Sequence, residues 1–358
     1  MDLAYRPDWP EATERLTRWW TGEDLGRPAL HITAPRDGAV WEELPAPLDL
    51  WAQWTDPAYV VPRTDQAMRN TAFFGEACPA GWVNLGPMSM TGFLGTEVVL
   101  RPDTVWQRPF VDDWERYEPH FDRTNEWWRV TTRLTEALAE GAAGKWFVAN
   151  ADMGDVGDVM SYLRGPERFC VDLLEGPRAR MERVRDELLE LTVQFYEELT
   201  ALTAPGQQGC ASWLGVWSPL RTTTLQCDFS CMVSAPLFAE FLAPPIAEQT
   251  RRLDHVAYHL DGPGALQHVD TLLALPRLHM IQWVPGAGAE GCAHPRWRPL
   301  LKRLIAGGVR VQLWVAPGEI EELLSDVPAD GLFLATGCAS ESEARDLLQA
   351  IPRWSHPS

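Results

Sequence analysis

The stretch YHLDGPGALQHVDTLLALPRLHMIQWVPGAG, residues 258–288, constrains the fold more than any other part of the chain. An apolar run at 256–260 stops at Asp261-Gly262-Pro263, a helix-like segment follows, and a second apolar run at 280–284 stops at Pro285-Gly286. Strand, turn, helix, strand, turn is the pattern of a parallel βαβ unit, because parallel neighbours need a crossover long enough to hold a helix. Polar groups stand at the strand exits: His259 and Asp261 on the first, Gln282 on the second. Carboxyl ends of strands build the active sites of parallel α/β barrels, so one segment proposes both a fold and the place of its chemistry.

Hydropathy extends the pattern along the chain. Further strands are predicted at 146–152, 211–217, 223–229, 309–315 and 331–336, and an early one at 29–33. With the two above, that makes eight, the number a closed barrel needs. Helical spacing is read at 9–20, 125–140, 178–203, 235–253, 264–275, 297–306, 319–324 and 340–351. The predicted fold is therefore α/β, a (β/α)8 TIM barrel forming a single domain over 1–358. Residues 1–145 are expected to be an N-terminal extension that caps the carboxyl-terminal mouth and supplies the first strand, with 146–358 as the regular barrel. One connection resists this reading. The five residues between Trp217 and Thr223 cannot hold a crossover helix, so that pair is open to being a hairpin.

Charge and cysteine usage narrow the class of partner. Lys and Arg total 31 against 50 Asp and Glu, a formal charge of −19, which argues against nucleic acid and anionic membrane. No apolar run approaches the ~18–20 residues of a membrane span, and the first residues lack the apolar core of a signal peptide. Seven cysteines, an odd number without a framework, fit a reducing compartment. The expectation is a cytoplasmic protein acting on a small molecule. Eighteen tryptophans pack a core and leave some to line a hydrophobic pocket.

Residues two apart on a strand share a face, so His259 and Asp261 both point into the predicted mouth. An imidazole and a carboxylate there can hold zinc if a third ligand joins them, and Cys338, just after the 331–336 strand, is the candidate. A hydrogen-bonded pair and a buried apolar thiol would satisfy the same pattern. Asp228, at the end of the 223–229 strand, suits general acid/base work or capping of the next turn. Cys227 and Cys231 flank it at a spacing that is a weak metal signal. Asp152 leaves its strand into a glycine-rich turn in which Gly154 and Gly157 allow a tight turn or close ligand approach. Asn84, in a loop placed to cover a pocket, and Trp217, at a strand exit, are expected to contact substrate. Arg164 and Arg27 suit a substrate carboxylate or a structural ion pair. No phosphate-cradling loop, GxSxG elbow or dinucleotide fingerprint is present; Gly286-x-Gly288 is only a fragment of the last.

The run LQCDFSCMVSAPLFAEFLAPPIAEQTRRLDHVAYHLDGPGALQHVDTLLALPRLHMIQWVPGAG, with RPALHIT, NLGPMSMTGFLGTE, DTVWQRPFVDDWE and GDVMSYLRGPERFCVDLL upstream, resembles the uroporphyrinogen decarboxylase-like superfamily. More narrowly it resembles a branch beside the cobalamin-linked methyltransferases. The resemblance implies a (β/α)8 barrel with its site at the carboxyl-terminal mouth. The Arg-rich, Gly-Arg-Tyr type signature of the porphyrinogen decarboxylases is missing near the start, which counts against a haem-pathway enzyme. The methyltransferases, like cobalamin-independent methionine synthases, bind zinc through His-x-Cys and a later Cys. His259 and Cys338 fall where such ligands fall, Asp261 replaces the first Cys, and Gln282 lies where a further acidic ligand stands. Zinc in those enzymes holds a substrate thiol as a nucleophilic thiolate.

What the resemblance implies first is a zinc-dependent methyltransferase-like enzyme, with His259, Asp261 and Cys338 holding the metal and Gln282 and Asp228 orienting a small acceptor. The donor would be a methyl-corrinoid protein or a small methylated molecule; any corrinoid would arrive on a partner. The alternative is a metal-free lyase, a decarboxylase of a small or aromatic carboxylate with Asp152 or Asp228 as the acid. A third reading is a corrinoid or tetrapyrrole carrier using the Trp-rich cap. The superfamily's decarboxylases dimerise, which makes a homodimer the expected assembly.

Overall fold

The computed structural model describes residues 1–86 and 89–355. Its strands are β1 (Ala29–Pro35), β2 (Thr71–Gly75), β3 (Ala80–Trp82), β4 (Glu97–Leu100), β5 (Val105–Arg108), β6 (Phe147–Ala149), β7 (Cys210–Ala211), β8 (Trp217–Ser218), β9 (Thr222–Gln226), β10 (His255–Asp261), β11 (Met280–Val284), β12 (Arg310–Trp314) and β13 (Leu332–Gly337). Seven of them form a sheet in the order β2-β1-β13-β12-β11-β10-β9. All its neighbours are parallel except β1 and β2. β3 and β6 make a separate parallel pair, while β4–β5 and β7–β8 are antiparallel.

Register decides which side chains share a level. His259 stands beside Gln226 and Gln282, Gln282 beside Gln312, and Gln312 beside Phe333. With period-two alternation, Ala257, Met280 and Phe333 lie on that same face, and they share one core with Phe147 and Ala149 of β6. The sheet and the β3–β6 pair therefore wall a common interior. Asn150, just past β6, bridges them by donating its side-chain amide to the Thr222 carbonyl of β9 at 2.6 Å. Residues of the opposite face, among them Val256, Tyr258, Ile281 and Leu313, pack into a second core beneath the helices.

The first helix, Trp9–Trp20, carries a buried stripe of Trp9, Ala12, Leu16, Trp19 and Trp20 that enters the inner core. Trp20 stacks on His255, the first residue of β10, with ring centroids 4.5 Å apart, and its indole N–H donates to the Trp217 carbonyl at 2.9 Å. That places the helix at the amino ends of the strands. This one helix of the 1–145 segment therefore does not cover the mouth: inner positions such as Ala29 and Ala257 are small, and its tryptophans fill the space they leave.

Other expectations shift as well. The stretch 211–217 is not one strand but a tight hairpin, from the end of β7 at Ala211 to the start of β8 at Trp217, its turn closed by Ser212 N–H to the Val216 carbonyl at 2.9 Å, with Gly215 at φ +73°. The predicted 223–229 strand ends at Gln226, and Asp228–Met232 winds into a 3₁₀ turn. The β4–β5 hairpin and the helices Pro57–Arg69 and Val156–Arg164 lie in segments that carried no predicted element. Among the described residues, no helix is long and apolar enough to cross a membrane.

Candidate metal centre

β10 delivers two of the polar groups directly. His259 and Asp261 lie on its inner face, and Gly262, at φ +75°, turns the chain outward immediately afterwards while donating its N–H to the Val284 carbonyl at 2.8 Å. The 3₁₀ turn after β9 brings Asp228 to them. One ligand atom from each of Asp228, His259 and Asp261 lies within 4.8 Å of the others. Cys338 does not join this group. It follows β13, three strands from β10 in the sheet, is 6% exposed, and burial pushes its thiol up to about 11, with Glu343 adding to the rise. Its backbone N–H donates to the Thr33 carbonyl at 2.7 Å, and the residue fills apolar space. The expected third ligand is thus corrected: the geometry offers Asp228 in place of Cys338.

Gln282 decides how His259 presents itself. The two are register partners, and the Gln282 side-chain oxygen lies 2.5 Å from His259 Nδ1. An amide oxygen only accepts, so Nδ1 carries the proton and Nε2 is left with a free lone pair. This is how metal-binding histidines are oriented by their outer partners. The Trp213 ring meets the imidazole edge-on, 5.4 Å away at 68°. Asp261 Oδ1 is buried with no hydrogen-bond partner, as expected of an oxygen kept for a cation. Asp228 keeps a solvent-facing edge, yet the surrounding protein desolvates its carboxyl and raises its pKa; a cationic His259 would oppose this, and Asp261 adds to it.

Behind this group lies a row of carboxyls on the loop and first helical turn after β6. Asp152 accepts from the Gly154 N–H at 2.9 Å. Asp155 caps the Val156–Arg164 helix through the Gly157 N–H at 3.3 Å and accepts from the Gln249 amide at 2.9 Å. Asp158 accepts from the backbone N–H groups of Asp228, at 3.1 Å, and Phe229, at 2.8 Å, and so anchors the turn that carries Asp228. Burial pushes Asp152 and Asp155 up to about 7 and Asp158 well above the carboxylate range, and the charge of Asp228 adds to the rise of Asp152 and Asp158. No Lys or Arg is among the main influences on any of them. Asp155 and Asp158 were not singled out from the sequence. The recurrence of Asp every three residues, at 152, 155 and 158, was the available sign of a carboxyl row at the start of a helix.

No protein-family model and no curated protein matches the sequence. Among solved structures, the chain is similar to a methyltransferase from Methanosarcina mazei, with a TM-score of 0.62 at 13% identity, over 95% of this chain and 98% of that one. The two chains share a fold. The likeness runs nearly end to end, so it includes the early segments as well as the sheet.

The remaining candidates have other employment. Trp217 is buried in the core at the amino ends of the strands, edge-on to Trp9 at 5.6 Å, and donates to the Gln208 carbonyl at 2.9 Å; it is corrected to a packing residue. Arg164 grips Asp172 at 2.5 Å and the Asp112 carbonyl at 2.6 Å, so it ties loops together rather than facing the mouth. Arg27 pairs with Glu76 at 2.8 Å. Asn84 is exposed and accepts from the Gly86 N–H at 3.0 Å, closing its own turn; it lines a surface hollow with Tyr59, Thr64 and Trp82. Cys227 is buried and Cys231 exposed, and neither belongs to the group around His259.

Proposed function

We propose that this protein is a metal-dependent enzyme of the methyltransferase type acting on a small acceptor. The metal is a divalent ion of the zinc class, held by Asp228, His259 and Asp261. The observation that carries this is their convergence within 4.8 Å, with the His259 tautomer set by Gln282. The fold shared with a methyltransferase over nearly its whole length supports the class of reaction. We read the sheet and the β3–β6 pair, with their common core, as a (β/α)8 barrel of the uroporphyrinogen decarboxylase-like kind.

Three protein donors leave a coordination position open, as catalytic sites require. When bound, the metal would supply Lewis acidity that keeps the acceptor's heteroatom anionic. One imidazole and two carboxylates are a harder donor set than His and two thiolates, so an oxygen or nitrogen acceptor suits the site as well as a thiol. Asp228, with its solvent edge, faces the entering acceptor. Asp152, pushed up to about 7, is the carboxyl able to take or return a proton near neutral pH. The methyl donor is a methyl-corrinoid protein docking at the mouth or a small methylated molecule, and the assembly we propose is a cytoplasmic homodimer. A metal-free lyase is the second reading, favoured by the raised, buried carboxyls of Asp152 and Asp158, which could protonate a substrate.

Elemental analysis of the purified chain separates the two. Wild type should hold about one zinc per chain, as expected of a three-ligand site. His259→Ala and Asp261→Ala should lose it, and Cys338→Ala should keep it. No metal in wild type after zinc is supplied would end the methyltransferase reading and leave Asp152 and Asp228 to be tested in a lyase.

A further inference from the structure

The mouth has one wall and a floor that metal binding does not require. In the sheet ladders Asp261 stands beside Val284, Trp314 beside Ala335, and Ala335 beside His31. Gln282 stands beside Gln312, which puts Val284 and Trp314, two residues on, level with each other. One inner-face layer therefore reads Asp261, Val284, Trp314, Ala335, His31. It begins with a metal-ligand candidate and rises to an indole. Trp314 is 49% exposed at this position, although it packs on the buried His31 ring at 5.9 Å. The small Ala335 beside it leaves one face of the wall low. Scattered exposed aromatics are ordinary on a protein surface; an open indole in the same layer as a candidate ligand is not.

The floor is the turn between β7 and β8, which crosses from one side of this layer to the other. Trp213 lies against His259, the Leu214 carbonyl accepts from the Gln312 side chain at 3.3 Å, and Gly215 sits on His31. A Cβ on Gly215 would fall 2.9 Å from His31 Cε1, so the turn is pressed as close as a glycine allows. From Asp261 on β10 to Trp314 on β12 the layer crosses two strand spacings, roughly 10 Å. A short aliphatic thiol would span only part of that distance. A flat ring system with one donor atom at its edge would span it and cover the exposed indole.

We propose that Trp314 selects the acceptor: its substrate class is a planar aromatic compound that stacks on the Trp314 indole and presents one heteroatom to Asp228, His259 and Asp261. The proposal rests on the metal-dependent reading above. Its test uses the zinc-loaded full chain and two hydroxamates that chelate alike and differ in planarity, benzohydroxamate and cyclohexanecarbohydroxamate. Wild type should prefer the planar probe by about three- to tenfold, the range of aromatic pairing. Trp314→Phe should keep most of that preference and Trp314→Leu should abolish it, both with unchanged zinc content. Equal binding of the probes by zinc-loaded wild type, or a preference that survives Trp314→Leu, overturns this proposal alone. A wild type that takes up no zinc and binds neither probe overturns the metal-dependent reading and this proposal with it.

Discussion

Replacing Gln282 by Leu isolates the one contact that turns a histidine near two carboxylates into a preset ligand. Gln282 is 3% exposed and its amide oxygen sits 2.5 Å from His259 Nδ1, so no water stands in reserve to replace it. Leucine nearly keeps the volume and removes the acceptor. Two costs follow. The unpaired Nδ1–H loses its hydrogen bond, about 1–3 kcal/mol for a buried group. His259 is only half-buried, so the low end applies, and a chain of this length should melt roughly 1–2 °C lower. The imidazole is also released to rotate and to change tautomer, which for such outer partners weakens metal binding by about 10–100-fold. That factor corresponds to about 1.4–2.7 kcal/mol. Gln282→Glu should act in the other direction, since a carboxylate acceptor raises the basicity of the ring and should hold or tighten the metal. The assay is zinc competition against a chromophoric chelator at neutral pH, with circular dichroism as the check on folding. A folded Gln282→Leu protein that binds zinc within about twofold of wild type, against the expected 10–100-fold, would refute the reasoning about the tautomer.

Two further outcomes concern stability. Burial lowers His31 to about 4, with the Arg6 charge adding to the effect, against 6.5 when free. The unfolded chain therefore takes the proton first. The stability held by neutral His31 is complete above pH 6.5 and is lost as pH falls toward 4, up to about 3 kcal/mol. Urea midpoints between pH 7 and 4.5 should fall less steeply in His31→Gln than in wild type; parallel curves would contradict this. Glu76, whose side chain is fully buried, accepts from Arg15 at 2.5 Å, Arg27 at 2.8 Å and the Leu30 N–H at 2.8 Å. Burial alone would raise its pKa, but Arg27 and Arg15 hold it below the usual range. Glu76→Gln should then cost about 3 kcal/mol by stranding two arginines, read from denaturant unfolding, and a loss under about 1 kcal/mol would show the pairs to be solvent-relaxed.

Much of this protein is written locally. The apolar runs of β10 and β11, the helix Arg178–Thr203, and the placement of His259, Asp261 and Gln282 on one face follow from spacing along the chain, because a strand's two-residue period is a property of its own residues. The third member of the site was legible only as a nearby carboxylate. Asp228 reaches His259 because β9 stops at Gln226 and a 3₁₀ turn, held by Asp158 from a helix 70 residues earlier, swings it inward. Cys338 looked equally eligible as the residue after a strand, yet the sheet order sets β13 three places from β10 and leaves the thiol in apolar packing. The Trp9–Trp20 helix was readable as amphipathic, but not as the plug at the amino ends of the strands. Periodicity says which face of an element is buried. Which elements become neighbours, and so which polar groups meet, is decided by long-range strand pairing and by the filling of space between small and large side chains, and neither leaves a local trace.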